Sequence, residues 1–249
     1  MTIDMSQAAE RHIPFPTVFN FRDVGGYRTA DRRSVRWRRV YRADGIHRLA
    51  VADLAPLGIR TVVDLRTEAE RAERGFFAAD EIDYHHLPMF ERTWEREGVL
   101  PDDDAVAYLA KRYAEMLVSG PAALAGTFTL VANADALPLV FHCAAGKDRT
   151  GVTAALLLAV LGVADDDIAA DYALSAGATE QFIEWLRVER PEAVADMQSM
   201  PTAFLASPAA AMVAFLDELR AEHGSVEAYL ASIGVSAATL TDVRANLLA

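Results

Sequence analysis

The residues that could do chemistry cluster in one short segment, residues 142–151, which reads HCAAGKDRTG. Cys143 is the only cysteine of the chain, and Arg149 follows it six positions later. A thiolate is a strong nucleophile, and a guanidinium can donate two parallel hydrogen bonds to an oxyanion. The spacing by itself has little specificity, and its context makes it predict nucleophilic attack on a bound oxyanion. The plain alternative is that Cys143 is an inert buried thiol.

The expected surroundings of the segment strengthen this prediction. An apolar run at residues 137–141 predicts a buried strand before it, and residues 151–162 predict an apolar helix after it. A loop between a strand end and a helix start can direct successive backbone N–H groups inward, and the helix adds the positive end of its dipole. We therefore expect a phosphate cradle formed by Ala144, Ala145, Gly146, Lys147, Asp148, Arg149 and Thr150.

Several side chains of this loop have expected roles. Gly146 tolerates a positive φ and lets the backbone approach a ligand closely. The cradle would favour the thiolate form of Cys143, to which the Thr150 hydroxyl could donate a hydrogen bond. His142 is expected to orient the loop rather than to titrate. Lys147 is interpreted either as a second cation for a multiply phosphorylated substrate or as a solvated loop lysine.

A leaving alkoxide or phenolate needs a proton, so the segment should also contain an acid. Asp148 is the preferred candidate, since the negative charge of a bound phosphate would favour its protonated form. Its alternative role is to brace the loop. Asp64, at the end of a predicted parallel strand, is the competing acid, and its alternative roles are a helix N-cap or a salt bridge to Arg66.

The rest of the sequence supplies the elements that must position this loop. Predicted strands cover residues 39–42, 61–65, 84–87 and 137–141. Predicted helices cover residues 51–58, 68–74, 104–118, a segment after Pro121, and 151–162, and the chain is helical from residue 165 onward. The alternation predicts one α/β domain with a mostly parallel sheet flanked by helices. Helix N-caps are expected at Asp165, Ser225 and Ser236, and a helix end at Gly224.

Charge is distributed unevenly along the chain. The 249 residues include 24 Lys and Arg against 36 Asp and Glu, a formal net charge of −12, which argues against a general nucleic-acid binder. Between residues 20 and 48, however, nine arginines occur with three aspartates. Such a run is typical of a solvated, turn-rich face, and the alternative is a basic rim that attracts an anionic substrate.

The cysteine count and the apolar segments bear on location. A single cysteine excludes an intrachain disulfide and a metal site built on several thiolates. A lone thiol fits a reducing compartment, and the polar residues 1–11 lack the apolar core of a secretory signal, so a cytoplasmic location is expected, with export without a signal left open. Two uncharged stretches, residues 116–134 and 198–216, are interrupted by Pro and Gly and do not predict membrane spans.

The loop sequence resembles the phosphate-binding loop of cysteine-dependent phosphatases. Its Gly-Lys-Asp-Arg-Thr-Gly ending resembles one bacterial branch, the tyrosine-phosphatase family related to mycobacterial protein tyrosine phosphatase B. Two further segments resemble that branch in the same order along the chain: residues 20–27 (NFRDVGGY), and Tyr41-Arg42 together with residues 58–66 (GIRTVVDLR).

This resemblance implies a mechanism and a class of substrate. It implies hydrolysis of phosphomonoesters without metal or cofactor, through a cysteinyl-phosphate, with Cys143 as nucleophile, Arg149 as phosphate clamp and Asp148 as acid and base. Members of the family accept phosphotyrosine, often phosphoserine and phosphothreonine, and sometimes phosphoinositides. The expected partner is therefore a phosphorylated protein or a phosphoinositide, with neither nucleic-acid binding nor stable membrane insertion, and the oligomeric state is not predicted.

The resemblance also implies the domain organisation. We expect a single phosphatase-like domain over residues 1–249, with an N-terminal extension at 1–19 and a helical part at 165–249. Relatives can cover the site with a helical lid, for which residues 178–204 are the candidate here. Ordinary packing of the C-terminal helices is the alternative for that segment.

Two functions from other classes stay open. One is a phosphate-binding adaptor without turnover, which would have no need of the Cys143 nucleophile. The other is a rhodanese-like sulfurtransferase, which also places a cysteine on an anion-binding loop, although the Gly-Lys-Asp-Arg-Thr-Gly run argues against it.

Overall fold

A mostly parallel sheet lies at the centre of the fold, as the alternation of strands and helices predicts. The computed structural model describes residues 10–91, 104–198 and 200–249. Its strands there are β1 (Arg22–Asp23), β2 (Val40–Ala43), β3 (Thr61–Asp64), β4 (Asp83–His86) and β5 (Leu139–His142). They are ordered β1-β2-β5-β3-β4, with β1 antiparallel to β2 and the other neighbours parallel. The strand that leads into the cysteine loop is therefore the central one.

Helices account for most of the remaining described chain. Those before the loop are α1 (Val51–Leu54), α2 (Glu68–Arg74), α3 (Ala105–Ser119) and α4 (Pro121–Ala132). Those after it are α5 (Asp148–Val160), α6 (Asp165–Ala173), α7 (Ser175–Glu189), α8 (Pro191–Gln198), α9 (Thr202–Leu205), α10 (Ala209–His223), α11 (Val226–Ser232) and α12 (Ala237–Leu247). Short 3-10 turns cover Ile46–Arg48, Ala55–Leu57 and Ala134–Ala136.

The central strands are buried on both faces. Successive side chains of a strand point to opposite sides, so Val63 and Phe141 join the larger apolar cluster while Val62 and Val140 join the smaller one. The larger cluster is completed by apolar faces of α3, α4, α5 and α10. Burial on both faces holds the carboxyl end of β5, and hence the loop that follows it, in a rigid frame.

Most predicted helix boundaries agree with the structure, and two need correction. Ser225 and Ser236 are N-caps, since each hydroxyl accepts a hydrogen bond from the backbone N–H three residues later, at 3.0 Å. The prediction of an N-cap at Asp165 is wrong: Ala164 takes that position, and the Asp165 carboxylate pairs with Arg220 at 2.6 Å instead. The helix expected from residue 151 already begins at Asp148.

The described part of the expected N-terminal extension packs against the sheet. The Nε of Arg11, a buried side chain, donates to the Gly25 carbonyl at 2.9 Å, and the Ile13 N–H donates to the Phe21 carbonyl at 3.0 Å. Residues 1–9 of that segment lie outside the described residues. The domain boundaries stay a prediction.

Among the described residues, no single helix is long and apolar enough to cross a bilayer. Helices α3 and α4 meet that length and composition only when taken together, and they are bent by 78° where they join.

Candidate active site

The cysteine loop connects the centre of the sheet to a buried helix. β5 ends at His142, α5 begins at Asp148, and residues 143–147 join them. Strands β2 and β3 flank β5 as parallel neighbours, so the loop leaves the carboxyl edge of the sheet between them. Open α/β sheets bind their ligands at this edge.

Three consecutive carbonyl groups of the loop are held by donors from outside it. The Ala144 carbonyl accepts from the Gly45 N–H at 3.0 Å, the Ala145 carbonyl from Asn20 Nδ2 at 2.9 Å, and the Gly146 carbonyl from Arg42 Nη2 at 2.9 Å. Two of these donors, Asn20 and Arg42, belong to the segments that the sequence singled out at residues 20–27 and 41–42, and Gly45 lies just after the second.

Holding these carbonyls sets the direction of the amides. In a planar trans peptide, a carbonyl and the next N–H point in opposite directions, so the N–H groups of Ala145, Gly146 and Lys147 point away from the donors. These three N–H groups have no acceptor within the described ranges of the chain. Gly146 adopts the expected positive φ, +66°, which permits this turn of the backbone. The arrangement has the form of an anion nest at a helix start.

A buried charge cluster stands behind the Arg42 donor. The Asp171 carboxylate of α6 accepts from Arg22 Nε at 2.9 Å, from Tyr27 Oη at 3.0 Å, and from Arg42 Nη1. Arg22 and Arg42 are almost fully buried, so neither a solvated face nor a basic rim describes these two arginines. Arg28, Arg32, Arg33, Arg36 and Arg38 of the same run are exposed.

Cys143 lies where the core ends and the loop begins. Its side chain is 2% exposed and belongs to the larger apolar cluster, while the next two residues line a cavity. His142 Nδ1 contacts the Cys143 carbonyl at 3.2 Å, and burial lowers the pKa of His142 to about 4, so this ring is neutral at pH 7, as expected. The expected bond from Thr150 is not formed. Its hydroxyl is buried in the first turn of α5 and has no hydrogen-bond partner among the described residues.

Arg149 is held by a carboxylate that sequence reasoning missed. Its Nη1 and Nη2 donate to the two oxygens of Glu70 at 2.5 and 2.9 Å. Burial raises the pKa of Glu70, but the Arg149 hydrogen bonds outweigh it and bring the pKa to about 2, so the pair is ionised. A guanidinium has five N–H groups, so three remain for a phosphate. Glu70 also forms a capping box with Thr67, and that T-x-x-E pattern was the signal available in the sequence.

The two candidate acids have different surroundings. Asp148 begins α5, its side chain is 21% exposed, and its Oδ1 accepts from Tyr113 Oη at 2.7 Å. Asp64 is fully buried, and its carboxylate accepts from Arg66 Nη2 at 2.6 Å and from Tyr84 Oη at 2.7 Å. Burial raises the pKa of Asp64, but these hydrogen bonds together outweigh it and hold the pKa well below its usual range. The salt bridge to Arg66, rather than the role of acid, is what this geometry supports for Asp64.

Lys147 is held by contacts within the protein, and its expected role as a second cation for a multiply phosphorylated substrate stays a prediction. Its side chain is 2% exposed, so the interpretation as a solvated lysine is wrong. The Nζ donates to the carbonyls of Phe204 and Ala206 at 2.9 and 2.8 Å, and a further contact to Ala203 is 3.4 Å long. These acceptors lie in and just after α9, where helix carbonyls have no intrahelical partner, so the ammonium ties the loop to this short helix.

A cavity of about 190 Å³ lies beside the loop. Ala144, Ala145 and Lys147 line it from the loop side. Its apolar wall is formed by Phe19, Ala178, Phe182, Met197, Met200, Phe204 and Leu205. Besides Lys147, its charged side chains are Asp44, Arg48 and Arg74, and the His47 imidazole also lines it. The candidate lid, residues 178–204, therefore supplies much of the apolar wall, and Phe182 stacks on Trp185 with ring centroids 5.9 Å apart.

Comparison with known proteins identifies relatives over nearly the whole chain. A family model described as the tyrosine phosphatase family matches residues 13–249. A provisionally named tyrosine-protein phosphatase of Cupriavidus necator is 33% identical over 88% of this chain and 83% of its own. The triple specificity protein phosphatase PtpB of Mycobacterium tuberculosis is 30% identical over 94% of this chain and 98% of its own. A tyrosine-protein phosphatase of Nostoc commune is 30% identical over 83% and 73%.

Proposed function

The chain belongs to the tyrosine phosphatase family, and on this premise we propose that residues 143–149 hydrolyse phosphomonoesters through a cysteinyl-phosphate. The observation that supports this most is the row of three loop carbonyls held from outside, which directs the N–H groups of Ala145, Gly146 and Lys147 the other way. Amides arranged in this way bind a tetrahedral oxyanion.

The first half-reaction forms the covalent intermediate. The Cys143 thiolate attacks phosphorus, the bond from phosphorus to the leaving oxygen breaks, and Asp148 gives its proton to that oxygen. The developing charge on the equatorial phosphate oxygens is stabilised by the loop amides and by the Arg149 N–H groups that do not bond to Glu70.

The second half-reaction returns the enzyme to its starting state. Asp148, now ionised, takes a proton from a water molecule as the water oxygen attacks phosphorus. The sulfur–phosphorus bond breaks, inorganic phosphate leaves, and the thiolate is regenerated. The atoms and protons of both half-reactions are accounted for without a metal or cofactor.

The cavity walls favour an aryl phosphate as substrate. Phe19, Phe182 and Phe204 form apolar surface beside the loop, which suits the ring of phosphotyrosine better than the short side chains of phosphoserine or phosphothreonine. The relative named as a triple specificity phosphatase makes phosphoserine, phosphothreonine and phosphoinositides the further candidates. We place the activity in the cytoplasm, because a lone thiolate nucleophile needs a reducing compartment.

We also propose that residues 178–204 act as a cover for the site. The support is twofold: this segment lines the cavity, and its last residue, Phe204, together with Ala206 just after it, accepts the Lys147 hydrogen bonds. The cover would exclude water from the thiolate and would enclose the aryl group of the substrate.

The proposed function is tested by phosphate release with wild type and Cys143→Ser. We expect wild type to hydrolyse p-nitrophenyl phosphate and, among natural phosphomonoesters, a phosphotyrosine peptide faster than phosphoserine or phosphothreonine peptides and phosphoinositides. Cys143→Ser should release no phosphate. It should still be stabilised against heat by inorganic phosphate, which shows that the fold and the cradle persist.

Three outcomes would contradict the proposal. Turnover retained by Cys143→Ser would show that Cys143 is not the nucleophile. Phosphopeptide binding by wild type without phosphate release would point to an adaptor. Thiocyanate formation from thiosulfate and cyanide, with a persulfide on Cys143, would point to a sulfurtransferase.

A further inference from the structure

A chain of hydrogen bonds leads from the protein interior to one oxygen of Asp148. The Oη atoms of Tyr172 and Tyr113 are 2.6 Å apart, and Tyr113 Oη donates to Asp148 Oδ1 at 2.7 Å. The three residues come from three helices, α6, α3 and α5. Tyr113 and Tyr172 are 59 positions apart in the chain, and they converge on the acid of the proposed function only because these helices pack together.

The direction of the chain follows from proton counting. A phenol has one proton, and Tyr113 donates its proton to the carboxylate, so Tyr172 must donate to the Tyr113 oxygen. Both rings are buried and meet edge to face, with centroids 5.8 Å apart. Burial first, and the charge of Asp148 second, raise the pKa of both phenols, so both remain protonated donors at neutral pH.

The two oxygens of Asp148 are not equivalent. Oδ1 accepts from Tyr113 and lies 3.4 Å from Lys147 Nζ, which is itself held by carbonyls of α9 and the residues after it. Oδ2 has no hydrogen-bond partner within the described chain, and the side chain is partly exposed. Because donors already point at Oδ1, a proton on the carboxyl group is placed on Oδ2.

We propose that Tyr113, with Tyr172 behind it, is a positioning residue for Asp148: it holds Oδ1 as an acceptor and leaves Oδ2 to exchange the proton with the leaving group and with water. This inference rests on the acid and base role of Asp148 in the proposed function. Neither phenol touches the reacting atoms. Their contribution is to fix the carboxyl plane and to choose the oxygen that carries the proton.

The inference predicts a specific change in the pH profile. The charged and titratable groups that face Asp148 are Lys147 and Arg149 from its own loop and helix, and Tyr113 and Tyr172 from α3 and α6. A phenol that donates to the carboxylate favours the ionised form. Its removal favours the protonated form, so the basic limb of kcat/KM, where the acid loses its proton, should move to higher pH.

The test compares Tyr113→Phe with wild type on p-nitrophenyl phosphate, which has a good leaving group, and phenyl phosphate, which has a poor one. We expect the basic limb of kcat/KM in Tyr113→Phe to shift to higher pH by about half a unit or more. We also expect phenyl phosphate turnover to fall at least about fivefold more than p-nitrophenyl phosphate turnover, since only the poor leaving group depends strongly on the acid. Tyr172→Phe should show smaller changes in the same directions.

Two controls separate positioning from general damage. Tyr229→Phe removes another buried phenol, on α11, whose Oη donates to the Leu117 carbonyl at 2.8 Å, and it should change neither the basic limb nor the ratio of the two rates. In an Asp148→Asn background, which itself should slow phenyl phosphate more than p-nitrophenyl phosphate, Tyr113→Phe should add no further discrimination between the substrates.

The inference is overturned if Tyr113→Phe slows both substrates equally with an unmoved basic limb, or if Tyr229→Phe reproduces its effects. If Tyr113→Phe fails to fold, the pH profile of Tyr172→Phe is the test instead. This variant removes only the donor behind Tyr113 and keeps the bond from Tyr113 to Asp148. A basic limb of kcat/KM at the wild-type pH in Tyr172→Phe would then count against the inference. Failure of the proposed function is distinguishable, since wild type would then show no Cys143-dependent turnover to compare.

Discussion

At the scale of single residues, the pairing of Arg149 with Glu70 explains how the proposed phosphate clamp is held ready. An arginine side chain loses considerable rotamer entropy when it is fixed, and here the fork is fixed before any phosphate arrives. Each partner is about nine-tenths buried, so the remaining N–H groups have a defined direction. A phosphate that binds them need not order the side chain at the same time.

Glu70→Gln tests this preorganisation. Loss of the charged partner should cost about 3–5 kcal/mol of unfolding free energy, because it leaves Arg149 buried without its counter-charge. It should lower kcat/KM for p-nitrophenyl phosphate by about tenfold to a hundredfold through a misplaced guanidinium. Glu68→Gln, on the same helix but in an exposed pair with Arg71, is the matched control and should change stability by at most about 1 kcal/mol.

The stabilisation that Glu70→Gln removes should depend on pH, and the direction of this dependence follows from the pKa of Glu70. The pKa of Glu70 falls from its ordinary value of 4.5 to about 2 in the folded protein, so its stabilisation is complete above pH 4.5 and is lost as the pH falls toward 2. The difference in unfolding free energy between wild type and Glu70→Gln should therefore be constant above pH 4.5 and shrink below it. A difference that grows as the pH falls would contradict the ion pair.

At the scale of elements, the loop is shaped by its contact with the end of β2. Gly146 combines a φ of +66° with a close backbone approach: a Cβ there would lie 2.6 Å from the Asp44 nitrogen and 2.7 Å from the Ala43 carbonyl. The positive φ and the missing Cβ are therefore separate requirements. Arg42 and Gly45, at either side of this contact, hold the neighbouring loop carbonyls.

Gly146→Ala should lose stability and phosphate binding together. The left-handed conformation costs about 1–2 kcal/mol for a residue with a Cβ, and the backbone clash adds to this by pushing the loop from its donors. Gly58→Ala is the control, because Gly58 has a similar φ of +62° with nothing within 4 Å of the added Cβ. Calorimetry with and without inorganic phosphate measures both effects. Equal losses in the two variants would show that the close contact is unimportant.

At the scale of the whole molecule, the helical part of the chain takes part in building the loop. Asp171 of α6 binds Arg22 near the N-terminus and Arg42 of β2, and Arg42 in turn holds the Gly146 carbonyl. Segments separated by more than a hundred residues thus meet in one buried cluster. Burial raises the pKa of Asp171, but the two arginines outweigh it and hold the pKa well below its usual range, so the cluster is ionised.

Asp171→Asn should therefore damage a site that Asp171 does not touch. Two buried guanidinium groups lose their counter-charge, which should cost about 3–5 kcal/mol of unfolding free energy and weaken the stabilisation by inorganic phosphate. Asp165→Asn, in the same helix and in a partly exposed pair with Arg220, should cost about 1 kcal/mol or less and leave phosphate binding intact. Unchanged phosphate stabilisation in Asp171→Asn would argue that the cluster does not shape the loop.

The sequence by itself determined the local features of this protein. Short continuous apolar runs indicated the buried strands, Ser225 and Ser236 marked helix starts, and the spacing from Cys143 to Arg149 between a strand and a helix indicated an anion-binding loop. These features depend on residues that are close together in the chain. Backbone geometry sets the spacing of their side chains, so the sequence shows them directly.

Only the tertiary structure decided the partners of those local features. It paired Arg149 with Glu70, turned Lys147 toward α9, and joined Tyr172 and Tyr113 to the Asp148 carboxylate. Each of these is a contact between distant segments. The chain contains many arginines, carboxylates and phenols that could have been the partner, so the sequence does not identify the one that is. The choice among them depends on how the helices pack over the sheet, because packing selects which polar groups are buried together and must satisfy one another.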